Sequence, residues 1–173
     1  MIVAETDRLL LRHIEHADAA FIHALLTDAE FLAQIGDRGV RTLEDASRAI
    51  AERFQASYRD NGFGMYAVEG KVEGIPLGMA GLIRREGLEH VDIGYAFLPA
   101  GRGCGYATEA AHAVMALAAG KGVAPVVAIV TPGNVASIAV LRSLGLVAGR
   151  LVRMPGAGHD VMLYVPAALL SSG

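Results

Sequence analysis

Between Pro99 and Ala110 the chain reads Pro99-Ala100-Gly101-Arg102-Gly103-Cys104-Gly105-Tyr106-Ala107-Thr108-Glu109-Ala110, three closely spaced glycines running into alanine. Glycine lets a backbone turn tightly, and the first amides of a helix that follows have no partner of their own. A turn of this kind suits a phosphate-like anion. The dinucleotide fingerprint fails on spacing, because its third glycine falls on Tyr106 or, read from Gly103, on Thr108. A P-loop fails for want of Gly-Lys-Ser/Thr. A plain flexible connection between strand and helix is the other reading these residues leave open.

Little else in the chain offers chemistry by itself. His13, His16, His23, His112 and His159 form no metal-ligand pattern, and no metal is expected. Cys104, the one cysteine, lies near a helix start that would lower its pKa, but as a turn residue it is expected to contribute its backbone. No nucleophile is assigned. Formal net charge is −3, from 15 Lys and Arg against 18 Asp and Glu that are interspersed along the chain. Phosphate neutralisation needs clustered cations, so nucleic acid is not an expected partner. Neither a basic leader with an apolar core nor a spanning apolar stretch is visible, which leads us to expect a cytoplasmic protein without a membrane partner.

The elements that must hold the turn follow from hydrophobic period. Arg8 to Ile14, Met65 to Val68, Leu77 to Ile83, Val91 to Leu98, Val126 to Val130, Leu146 to Met154 and Val161 to Val165 are strand-like. Helices are expected after Asp18 as a cap, from Thr42 with Asp45 in a capping box to Asn61-Gly62, over Thr108 to Ala119, and over Ser137 to Leu144. Asp28 to Arg41 reads as a mobile connection. With 173 residues, 53% of them hydrophobic, the expectation is one mixed α/β domain spanning 1–173.

Arg102-Gly103-Cys104-Gly105-Tyr106-Ala107 resembles the pyrophosphate signature Gln/Arg-x-x-Gly-x-Gly/Ala of the GCN5-related N-acetyltransferases, the GNAT superfamily. Glu5-Thr6-Asp7-Arg8-Leu9-Leu10-Leu11-Arg12 is similar to the opening of its RimJ/RimL branch. Asp92-Ile93-Gly94-Tyr95 with Gly105 to Ala110, and Asn134-Val135-Ala136-Ser137 with Leu144-Gly145-Leu146, resemble its middle and its second cofactor motif. These segments occur in the family's order over nearly the whole chain.

The resemblance implies a mixed sheet splayed between its fourth and fifth strands, those beginning at Val91 and Val126. It implies acetyl-coenzyme A as cosubstrate and a primary amine as acceptor, either a protein N-terminus or a small molecule. Pantetheine would lie against Phe97 and Leu98, and the pyrophosphate on Arg102, Gly103, Cys104, Gly105, Tyr106, Ala107 and Thr108. Asn134, Ser137 and Arg142 would complete the cofactor site. An alkylammonium, with its reference pKa near ~10, needs a base before it can attack. Asp92 stands where the branch has a carboxylate, with a solvated carboxylate on a polar strand face as the competing reading; Glu89 and His90 are lesser candidates. The tyrosine with which many relatives protonate the thiolate is replaced by Leu141, so the role passes to Ser137, which would otherwise be the N-cap of its helix. Loss of that tyrosine leaves open a regulatory module that binds acyl-coenzyme A without turnover; a nucleotide-binding regulatory domain is a third reading. A homodimer stays open. The segment Asp28 to Arg41 and the turn Met154 to His159 are expected to frame the acceptor.

Overall fold

The central strands, which the sequence marks as apolar runs, are apolar on both sides because both faces of the sheet are covered there. In the computed structural model, which describes residues 1–171, strands β1 (Ile2–Glu5), β2 (Leu9–His13), β3 (Met65–Gly70), β4 (Pro76–Ile83), β5 (Val91–Phe97), β6 (Val126–Val130), β7 (Leu146–Val152) and β8 (Val161–Pro166) form one sheet. Its order is β1-β2-β3-β4-β5-β6-β8-β7. Alternate residues point to opposite faces. Tyr66, Val68, Ala80, Leu82 and Ile93 pack with α5 (Tyr106–Gly120) and α6 (Val135–Ser143). Met65, Ala67 and Met79 face α1 (Ala19–Leu26), α2 (Ala29–Gln34) and the long helix from Leu43 to Asn61, built from α3 (Leu43–Ala49), a π-helical stretch (Ile50–Gln55) and α4 (Ala56–Asn61). Ala110 and Ala111 are fully buried, so small side chains set α5 close against the sheet.

All neighbours in the sheet are antiparallel except β5 and β6. These two pair in parallel at Val91 with Val126 and Asp92 with Val127, and at no later position, although β5 continues to Phe97. The sheet is therefore splayed where expected by residue, but between the fifth and sixth strands. The expected count was one short because Ile2–Glu5, with only four residues, carries too little pattern to be read as a strand.

Three further expectations change. The segment Asp28 to Arg41 is not merely a connection, since Asp28 accepts hydrogen bonds from the Glu30 and Phe31 amides and caps α2. Asp18 does not cap α1 with its side chain; its carboxylate takes two hydrogen bonds from Arg12 and one from the Glu15 amide. A short α7 (Ala167–Ser171) closes the described chain. The Thr42 capping box with Asp45 is present, and the long helix stops at Gly62 in the left-handed conformation. No helix among the described residues is long and apolar enough to cross a membrane.

Candidate active site

Where β5 leaves β6, a cleft of about 1050 Å³ opens. Asp92, Phe97, Arg102, Ala107, Asn134 and Ser137 all line it, so residues far apart in sequence converge as expected. The segment around Gln34 to Arg38 and the turn Met154 to His159 form other walls. Thr131, just after β6, donates its hydroxyl to the Gln34 carbonyl at 3.1 Å, tying α2 to the far side of the splay.

The glycine turn presents backbone donors. Gly101 donates its amide to Leu98 and Arg102 donates to Pro99; the next amide with a backbone acceptor is that of Glu109, which begins the α5 ladder on Gly105. Among the described residues, the amides from Gly103 to Thr108 meet no acceptor. Gly103 and Gly105 have φ of +76° and +81°, which side chains with a Cβ rarely tolerate. Amides without acceptors at the start of a helix are the kind of donor set that an anion takes, which makes this turn a candidate anion site.

Arg8 and Glu109 hold the turn from behind. The Glu109 carboxylate accepts from the Thr6 hydroxyl (2.6 Å), the Arg8 amide (3.0 Å) and Arg8 Nε (2.7 Å). Arg8 Nη1 donates to the Cys104 carbonyl (2.8 Å), and its guanidinium lies 4.5 Å from the centre of the Tyr106 ring. Thr6, Arg8 and Glu109 thus tie the opening segment of the chain to the glycine turn. The Arg102 side chain is turned away from the free amides, bonded to Asp28 and, at 2.9 Å, to Glu30. Leu98 has both backbone groups engaged, its amide with Leu77 and its carbonyl with Gly101. Cys104 is exposed, and Arg142 is exposed on α6.

Ser137 is not the cap of α6. Asn134 is, through an Oδ1 that accepts from the Ser137 amide at 3.2 Å. The Ser137 hydroxyl is free for another use and lies 2.8 Å from the Tyr95 hydroxyl, which also reaches the Ser137 carbonyl at 3.2 Å. Burial pushes the Tyr95 phenol up, the bond to Ser137 opposing it, so the phenol keeps its proton at neutral pH. Tyr95 was passed over in the sequence. The signal was strand alternation, which puts Tyr95 on the Phe97 face of β5, toward α6. Leu141 is 1% exposed and belongs to the core.

Asp92 is 1% exposed, which overturns the solvated-carboxylate reading. Its two oxygens receive Arg85 Nε and Nη2, both at 3.2 Å. Burial raises its pKa, and the charge and hydrogen bonds of Arg85 only partly offset that. Arg85 had no signature in the sequence; it lies just beyond β4, whose pairing of Ile83 with Asp92 brings it over the carboxylate. Glu89 and His90 lie on a separate, smaller cavity of about 230 Å³. No group of three or more His, Cys, Asp or Glu side chains that could hold a metal occurs among the described residues.

No match is found among curated protein sequences. Among solved structures, a putative GnaT-family acetyltransferase from Bordetella pertussis is 26% identical with a TM-score of 0.77, over 94% of this chain and 98% of that one. A RimL ribosomal L7/L12 α-N-protein acetyltransferase in complex with coenzyme A is 20% identical with a TM-score of 0.80, over 95% and 97%. The ribosomal-protein-S5-alanine acetyltransferase of Vibrio fischeri, 20% identical, has a TM-score of 0.77 over 93% of each chain. These last two share the fold. The family model of the GNAT acetyltransferase domain matches residues 8–147, from the Arg8 that braces the turn to the start of β7, and the chain belongs to that family.

Proposed function

We propose that the protein transfers the acetyl group of acetyl-coenzyme A to a primary amine by direct attack within a ternary complex. The observation that carries this is the parting of β5 from β6 after Asp92, beside a turn whose amides from Gly103 to Thr108 have no acceptor among the described residues. Acetyl-coenzyme A supplies an activated acyl group as a thioester. The free amides take its diphosphate, and the edge of β5 that β6 has left takes the pantetheine, with the Asn134 side chain beside it.

The amine nitrogen bonds to the carbonyl carbon, the carbon–sulfur bond breaks, the amine gives up a proton and the thiolate gains one. Asp92 receives the amine proton through water. Its raised pKa makes it a stronger base than an ordinary aspartate, while Arg85 keeps it oriented. The Ser137 hydroxyl gives a proton to the thiolate and is resupplied by Tyr95, 2.8 Å away, whose phenol regains a proton from solvent. A thiolate with a reference pKa near ~8.5 needs only modest help of this kind. This pair supplies the hydroxyl that Leu141 cannot, which favours a working enzyme over a binding module.

Thiol release from acetyl-coenzyme A, measured with peptides bearing free N-terminal Ala or Ser, with polyamines and with amino acids, tests the reading. Coenzyme A binding without thiol release to any of them would leave the binding module. Asp92→Asn is expected to lower kcat/KM by roughly ~100-fold near pH 7 with little change in coenzyme A affinity. The deficit should narrow as pH approaches the amine pKa, because a neutral amine no longer needs the base. An unaltered rate and pH profile would leave Asp92 as a clamp at the vertex of the splay.

A further inference from the structure

Near the closed end of the splay the guanidinium of Arg38 lies within the field of two others, Arg85 and Arg53, and of one carboxylate, Asp92. Arg85 is bound through Nε and Nη2 to Asp92. Arg53, on the long helix, donates from Nη2 to the Arg38 carbonyl at 3.0 Å. Arg38 is exposed but lines the cleft, and among the described residues its guanidinium meets no carboxylate at ion-pair distance. The charges acting on it are Arg85 and Arg53, which repel it, and Asp92, which attracts it; burial and that repulsion lower its pKa. A guanidinium nonetheless stays protonated. Of the acids on the cleft walls, Glu30 is bound to Arg102, Asp37 to Arg41 and Asp60 lies beside Arg59. Glu52 and Glu86 also line the cleft without acting on Arg38.

Like charges gathered in a cleft raise the energy of the folded chain, and an arriving anion relieves it. The cofactor diphosphate is not that anion. Its free amides lie beyond Phe97, and the five steps from Asp92 to Phe97 alone span about 17 Å of extended strand. A second ammonium placed beside Arg38 would add to the positive charge that Arg85 and Arg53 already bring there. The local field has a further effect, because an ammonium beside fixed cations loses its proton more readily.

We propose that the acceptor is an amine that also carries a carboxylate, which Arg38, backed by Arg53, holds at the closed end of the cleft. The proposal rests on the acetyl transfer inferred above. Arg38 offers a planar fork of donors that matches a carboxylate in a bidentate pair. The carboxylate has two possible sources: the α-carboxylate of a free amino acid, or an acidic side chain next to a peptide N-terminus.

Binding of reaction products separates these sources without requiring turnover. In the presence of coenzyme A, N-acetylated Ala, Ser, Met and Phe are compared with their amides by calorimetry, and N-acetyl peptides with Asp second are compared with Asn counterparts. In one arm or the other the carboxylate form is expected to bind about ten- to hundredfold tighter. Arg38→Gln should erase the preference while leaving the Kd for coenzyme A unchanged. Equal binding of acid and amide in both arms, or a preference that survives Arg38→Gln, would overturn the proposal. Thiol release with the free amines tells the two proposals apart. An Arg38-dependent preference without thiol release would end the transfer reading and leave the carboxylate site. Release to amides and polyamines at rates that Arg38→Gln does not alter would do the reverse.

Discussion

The two ends of the cleft are built from different materials. At the glycine turn the donors are backbone amides, and side chains such as Arg8 and Glu109 brace them from outside. At the closed end the backbone sets the vertex, and the groups to which a role is proposed are the side chains of Asp92, Arg85, Arg53 and Arg38, drawn from a strand, a loop, a helix and another loop. A site made of backbone needs particular φ angles at consecutive residues, so it must be written locally. A site made of side chains can be gathered from anywhere the fold passes.

The largest expected effect breaks the backbone end. Gly105 has φ +81°, and a Cβ there would come 3.3 Å from Arg8 Nη2. A β-branched residue resists that φ at a cost of about 1–3 kcal/mol and crowds the diphosphate as well. Gly105→Val should therefore weaken coenzyme A binding by roughly ~100-fold, measured by calorimetry. Cys104→Ala, which changes only an exposed side chain, is the control and should leave binding unaltered. Equal affinity in Gly105→Val and wild type would remove the diphosphate from this turn.

The same contrast decides what could be read in advance. The turn, the Thr42 cap and the long helix's stop at Gly62 each rest on a few neighbouring residues with strong conformational preferences, and each is found in place, whereas the splay vertex at Val91 and Val126 was implied only by the family resemblance. The strand Ile2–Glu5 and helix Ala29–Gln34 are too short to show a period, and tertiary contacts make them. Ser137 shows the limit at a single residue. Its type allowed either a cap or a proton donor, and only the neighbouring Asn134, by taking the cap, leaves the hydroxyl to Tyr95. The Arg85 to Asp92 pair depends on the β4 and β5 register, and Arg38 on the path of a loop, neither of which any local motif encodes.

A middle-sized effect sharpens the comparison at the point between the two ends. Ser137→Ala removes no cap, so stability should change little, while the single-turnover rate should fall by about ~10-fold if the hydroxyl protonates the thiolate. Tyr95→Phe should give a smaller loss, since Ser137 retains its own proton and loses only the resupply. Unchanged single-turnover rates in both variants would leave water as the acid.

The smallest effect asks whether the brace behind the turn matters to binding. Burial pushes the Glu109 carboxyl up, but hydrogen bonds from Thr6, the Arg8 side chain and the Arg8 amide outweigh it and hold the carboxyl below its ordinary value of 4.5. A carboxylate depressed by folding stabilises the native state above its unfolded pKa, and that contribution is lost as pH falls through the folded value. Glu109→Gln keeps the shape but gives up the charge. Its melting temperature should lie below wild type at pH 7, and the gap should close as pH drops below about 4.5. Because Arg8 then holds the Cys104 carbonyl less firmly, coenzyme A affinity should fall by only about threefold, equivalent to roughly 0.6 kcal/mol. A loss as large as that in Gly105→Val would mean that the turn is shaped by its brace rather than by its glycines, and the backbone end would then depend on distant side chains as much as the closed end does.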